Sequence, residues 1–176
     1  QSLPAALAIS VEDAVGFGAI APGAWSLSDD AEGRANAAIK QFDLLDLRRD
    51  PINQISGGEP RRVALAATVA QGAPWLLLDE PTAGLDLPHA GAAFAALRRW
   101  VAAEAGQRAV VAAVHDLNLA ARCADRLILL GDGSVLADGP PDEVLASDQL
   151  ECSLGGELAR FRDPESGRMV VLPVIP

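Results

Sequence analysis

Several groups of residues in this chain have the types and spacing to do chemistry on a phosphate. The apolar run Trp75-Leu76-Leu77-Leu78 ends in Asp79-Glu80. Acids at the carboxyl end of a buried parallel strand sit where α/β folds bind their ligands. One carboxylate there can face a divalent metal and the next a water nucleophile. Phosphoryl transfer is catalysed mainly by positioning and charge stabilisation, so such a pair suffices. The plainer alternative is a strand capped by solvated acids. Ser56-Gly57-Gly58 opens a helical pattern, and a helix start with glycines offers free N–H groups and a favourable dipole to an anion. Arg61-Arg62 just behind it strengthens that reading over a merely capped helix. His115 follows the apolar run Ala109–Val114; a neutral imidazole at a strand end can donate to a phosphate. A lone histidine is more often a satisfied polar group, which is the reading for His89.

These residues need particular elements to hold them. Val11 to about Phe17 predicts a short helix. Ser28-Asp29-Asp30 supplies an N-cap and acidic first turn for a helix to about Phe42. Asp50-Pro51 breaks the chain, and from Gly57 to about Gln71 the pattern is helical, with Val63, Leu65, Ala66 and Val69 inward. After Gly72 the character changes. Trp75–Leu78, Ala109–Val114 and Leu127–Leu130 are continuous apolar runs, which predicts parallel strands buried on both faces. Helical segments near Pro88–Ala105 and Asp116–Cys123 separate them, so the class is α/β with crossover connections. Gly131-Asp132-Gly133 predicts a hairpin turn into Val135–Ala137, a small helix follows near Pro141–Ala146, and Phe161–Leu172 reads as another hairpin. Ser153-Leu154-Gly155-Gly156-Glu157 superficially repeats Ser-Gly-Gly but has displaced glycines, and is read as a turn.

Bulk properties narrow the function. A chain of 176 residues is one domain by length. Its net charge of −10 opposes sequence-independent nucleic-acid binding, so no nucleic-acid partner is expected. No apolar run approaches the ~20 residues of a membrane-crossing helix, so any membrane role is expected to be peripheral. Cys123 and Cys152 have no metal-like spacing and read as reduced thiols.

Taken in order, Ile55-Ser56-Gly57-Gly58-Glu59, Trp75–Pro81, Gly84-Leu85-Asp86 and Val114-His115-Asp116-Leu117-Asn118 resemble the ATP-binding domain of ABC transporters, over essentially the whole chain. The resemblance implies a RecA-like P-loop NTPase core with a partial parallel sheet and a helical subdomain. It implies ATP and Mg²⁺ as cofactors. By resemblance, Ser56, Gly57, Gly58 and Glu59 form the signature motif, with Ile55 and Glu59 as mild departures. Asp79 and Glu80 match the Walker B motif, Asp79 holding Mg²⁺ and Glu80 acting as general base. Asp86 matches the D-loop, His115 the H-loop, and Gln1 the Q-loop glutamine that binds Mg²⁺ and nucleotide. The tail Asp163-Pro164-Glu165-Ser166-Gly167-Arg168 and Asp116-Leu117-Asn118 look most like importers of iron–siderophore, haem or cobalamin.

The implied organisation is 1–72 for the Q-loop and helical signature part, 73–150 for the α/β catalytic core, and 151–176 for a hairpin extension. Expected partners are transmembrane permease subunits, a second ATPase subunit in a head-to-tail dimer, and indirectly a substrate-binding protein. The expected location is the cytoplasmic face of the membrane. No Gly-x-x-x-x-Gly-Lys-[Ser/Thr] occurs in the 176 residues, and the one lysine, Lys40, precedes a glutamine. The chain is therefore expected to be a carboxyl-terminal part of a longer ATPase. By itself it should bind ATP poorly, turn over negligibly and aggregate, because the sheet would lack a strand. The alternatives are a non-hydrolysing subunit that donates only its signature helix, and a soluble ABC protein outside transport.

Overall fold

The computed structural model describes residues 9–20, 26–55, 57–104 and 106–174. Gln1 and Ser56 lie outside them. The described elements, in order, are α1 (Val11–Ala19), α2 (Asp29–Gln41), α3 (Glu59–Ala70), β1 (Trp75–Asp79), α4 (Leu87–Ala103), β2 (Ala109–Ala113), α5 (Leu117–Cys123), β3 (Leu127–Gly131), β4 (Ser134–Gly139), α6 (Pro141–Ala146), α7 (Asp148–Leu154), β5 (Leu158–Arg162) and β6 (Met169–Pro173). Contacts divide the chain into two compact units, 1–113 and 114–176. The composition shift at Gly72 does not coincide with that division.

In the first unit, α1, α2 and α3 pack on one another around Val11, Val15, Ala35, Ile39, Phe42, Val63 and Ala66, all buried. Local chemistry starts each helix. Ser10 and Asp13 form a reciprocal capping box on α1, and the Ser28 hydroxyl accepts from the Ala31 amide on α2. Arg34 ends two of them: its Nε donates to the Ala70 carbonyl at 3.0 Å and its Nη2 to the Ala19 carbonyl at 3.2 Å. Those carbonyls lie at the negative ends of α3 and α1, where the helix itself offers no donor.

Strands β1 and β2 pair in parallel, Leu77 beside Val111 and Asp79 beside Ala113. The expected burial on both faces is not what this pair shows. Leu76 is buried at 3% exposure, but Trp75 and Leu77 on the opposite face are 66% and 78% exposed, with Val111 at 51%. The third expected parallel strand is also different: among the described residues β3 pairs only with β4, antiparallel. A continuous apolar run records what a strand can bury, while the cover itself must come from another element.

The second unit has its own core of Ala121, Leu145, Leu150 and Val171, flanked by Leu117, Leu127, Leu129, Leu158 and Met169. The β3–β4 turn has positive φ at Asp132 (49°) and Gly133 (73°), the conformation of a type I′ hairpin. Strands β5 and β6 form the second hairpin. Where the sequence predicted only a turn around Ser153–Glu157, a helix, α7, runs into Gly155, which stops it in the left-handed conformation. The signal was present in Ser147 as cap and Gly155 as stop.

Candidate functional site

Strand β1 delivers Asp79, exposed, to its carboxyl end. Glu80 continues the ladder by one bond, its amide donating to the Ala113 carbonyl at 3.1 Å. The chain then turns sharply, because Glu80 has φ of +43°. A non-glycine residue there costs about 1–3 kcal/mol and persists only when its surroundings hold it. The Ala83 amide, donating to the Glu80 carbonyl at 3.0 Å, and Arg61 on α3 both hold it. The Arg61 Nε donates to the Pro81 carbonyl at 2.8 Å, and its Nη2 to the carbonyls of Asp79, at 3.2 Å, and Glu80. Three successive carbonyls can converge on one guanidinium only if the backbone curls, and the left-handed Glu80 is that curl.

Arg62 does the same for another turn. Its Nη1 donates to the Phe42 and Asp43 carbonyls at 3.3 Å each, and Asp43 has φ of +53°. Both guanidiniums are engaged with backbone carbonyls at the ends of neighbouring segments.

The start of α3 sits against the segment that follows the acids. Gly58 is the helix cap and is buried. A Cβ on Gly58 would lie 2.8 Å from a Leu85 methyl and 3.2 Å from His89 Cβ, so the missing side chain is what admits this segment. Gly57 differs: it has φ of +61°, is exposed, and a Cβ there would meet nothing within 4 Å. Gly57 leaves its backbone open to approach by a ligand, as a phosphate-facing loop requires. Glu59 and Pro60 begin the helix; Pro60 removes one N–H donor, and Glu59 lies 3.9 Å from Arg62.

Asp86 caps α4, accepting from the His89 amide at 3.0 Å and pairing with the His89 ring. These contacts, the amide first and the ring second, hold its carboxyl below the usual carboxylate range. His89 is therefore a satisfied polar group, paired with Asp86. The first unit thus gathers Asp79, Glu80, Gly57, Gly58, Glu59 and Asp86 around the contacts of α3 with residues 79–89. His115 belongs to the second unit, exposed, just before α5. Asp116 caps α5, accepting from the Leu119 amide at 2.9 Å. As the second residue of α5, Asn118 meets β6 with both side-chain ends: its Nδ2 donates to the Val171 carbonyl at 2.9 Å and its Oδ1 accepts the Val171 amide at 3.0 Å. Nothing in the sequence pattern singled out Arg61 as a carbonyl clamp or Asn118 as a strand partner.

A family model described as ABC transporter matches residues 6–83. The hemin import ATP-binding protein HmuV of Streptomyces coelicolor is 39% identical over 98% of this chain and 61% of its own length. The cobalamin import ATP-binding protein BtuD of Halobacterium salinarum is 41% identical over 80% of this chain and 33% of its own length. The chain thus spans between a third and three fifths of these two relatives. Among solved structures, a metal-chelate type ABC transporter in an inward-facing conformation matches with a TM-score of 0.80, at 24% identity over 99% of this chain and 69% of that one. The order of the motifs, α3 seated against the segment that follows the acids, and these matches agree: residues 6–83 carry the ABC transporter family's domain, and the chain has the α/β fold of such ATPases.

Proposed function

We propose that this chain is the signature-and-acid part of an ATP-hydrolysing subunit that powers import of haem, cobalamin or a related iron chelate. The observation that carries the reading is Glu80, strained at the end of β1 and held there by three carbonyl contacts. Such strain gathers at working sites. The names of the relatives, hemin and cobalamin import ATP-binding proteins, support the substrate class.

In this reading Glu80 accepts the proton of the attacking water. Asp79 provides a single hard oxygen ligand at the strand end, which suits Mg²⁺ arriving with a nucleotide, since that ion takes one or two carboxylates and fills its sphere with phosphate oxygens and water. Bound there, Mg²⁺ would neutralise charge building on the phosphates. Gly57, Gly58 and the amino end of α3, with Ser56, would bind the nucleotide held by a second, head-to-tail copy. Asp86 would face that copy, Gln1 would add to the nucleotide and metal ligands, and His115 would donate to the terminal phosphate. The subunit would bind transmembrane permease subunits at the cytoplasmic face of the membrane, with a substrate-binding protein acting through them. Among the described residues no helix is long and apolar enough to cross a membrane.

The test is Glu80→Gln in the protein carrying its whole ATPase domain. It removes the base and keeps the shape. Turnover should fall ~10²–10⁴-fold with nucleotide binding retained. Near-parental turnover would remove Glu80 from this role.

A further inference from the structure

Arg61 is the unexplained residue of the site. It carries a full charge, yet its guanidinium faces no carboxylate among the contacts described above; it faces the carbonyls of Asp79, Glu80 and Pro81. A helix residue bonded to three consecutive carbonyls eighteen to twenty positions further along the chain is a fixed clamp with a planar fork, a geometry a lysine cannot reproduce. The clamp lies in the first turn of α3, directly behind Gly57 and Gly58. At the front of the same helix, Gly58 seats Leu85 and His89. The same helix end therefore meets the acidic turn through Arg61 and the segment after it through Gly58.

We propose that Arg61 is a positioning residue for hydrolysis: it fixes the left-handed backbone of Glu80, and so the direction of its carboxylate, and makes that direction depend on where the signature helix lies. This rests on the reading of Glu80 as the base. Its consequence is a link between two nucleotides. The signature turn serves the nucleotide of the second copy, while Glu80 serves the subunit's own, and Arg61 is bonded to the turn of one and carried on the helix of the other. Without the clamp, Glu80 can relax toward ordinary φ values, and its carboxylate swings away from the water it must orient. A misplacement of about 1 Å at a reacting group can cost ~10²-fold.

The experiment is steady-state ATP hydrolysis by the complete ATPase subunit in its transporter, comparing the parent, Arg61→Ala, Arg61→Lys, Glu80→Gln and the Arg61→Ala/Glu80→Gln double variant. Arg61→Ala should lower kcat ~10–100-fold and leave KM for ATP within about threefold. Arg61→Lys, which keeps the charge and can reach one carbonyl, should recover part of the loss. The double variant should be no slower than Glu80→Gln alone, because Arg61 acts through that side chain; a merely structural role would multiply the two losses. If Arg61→Ala loses its cooperative melting transition, Arg61→Lys and its double with Glu80→Gln are judged by the same two criteria. A folded Arg61 variant within about twofold of parental kcat, or a double variant with multiplied losses, overturns the proposal. Slow Glu80→Gln beside fast Arg61→Ala sinks only the clamp, whereas fast Glu80→Gln sinks the assignment of the base beneath it.

Discussion

Replacing Asn118 with alanine should unfasten the carboxyl-terminal hairpin from α5. Asn118 pairs with Val171 as a neighbouring strand would, giving one hydrogen bond and accepting another at 2.9 and 3.0 Å. Val171 is 4% exposed and belongs to the core of the second unit. Each bond contributes about 0.5–1.5 kcal/mol net, and a stranded buried partner costs about 1–3 kcal/mol. Asn118 is half-buried, so water can reach part of the gap, and the sum comes to about 2–4 kcal/mol. The Arg168 contact with the Ala121 carbonyl, at 2.7 Å, still ties β6 to α5, so the hairpin should loosen without detaching. The assay is amide hydrogen exchange at Val171. A loss of about 2 kcal/mol speeds local opening about 30-fold, since 1.4 kcal/mol is a factor of ten. Asn118→Asp tests the geometry: it can still accept the Val171 amide but sets a carboxylate against the Val171 carbonyl, so it should do no better than alanine at neutral pH. Exchange at Val171 changed by less than about threefold in both variants would refute the reasoning, because it would mean that neither bond bears on the hairpin.

The two signature glycines should respond differently to alanine. Gly57→Ala meets open space but must hold φ of +61°, at a cost of about 1–2 kcal/mol. Gly58→Ala keeps an ordinary φ but drives a methyl into Leu85 and into His89 near its backbone, costing about 1–3 kcal/mol and displacing residues 85–89. Chemical shifts of Leu85 and His89 should therefore move in the second variant and stay put in the first; the opposite pattern would contradict the packing. Acid should weaken the second unit. Asp142 is held below its ordinary range by Arg162 and then by the Met169 amide, Glu151 by Arg160 and then by the Leu158 amide, and Asp163 by the Ser166 hydroxyl and then by the Glu165 amide. With folded values below unfolded ones, this stabilisation is complete above about pH 4–4.5 and is lost as pH falls through the folded values. The urea midpoint for loss of the β5–β6 hairpin should be lower at pH 3 than at pH 6, and an equal midpoint would count against these contacts.

Much of the local structure was legible in the residues. Ser28 with the acids after it marks the start of α2, and Asp132-Gly133 marks the hairpin between β3 and β4, because a cap hydroxyl or a left-handed pair acts within three or four residues. The inward face of α3 followed from its period, with Val63, Leu65, Ala66 and Val69 all buried. The helix α7 was missed although Ser147 and Gly155 bracket it, because attention to the two glycines favoured a turn.

Sequence by itself determined the order of the chemical groups, and with it the family, since each motif is a contiguous run. It also determined the caps and turns, whose interactions close over a few residues. Tertiary structure alone decided that Leu77 and Val111 lie on an exposed face of the β1–β2 pair, since an apolar run cannot say what lies over it. It alone decided that Arg61 meets the carbonyls around Glu80, that Gly58 makes room for Leu85 and His89, and that Asn118 completes β6. Those contacts join residues roughly twenty to fifty positions apart. No local pattern encodes such a meeting, because it exists only once packing of the apolar faces has brought the two segments within hydrogen-bond reach.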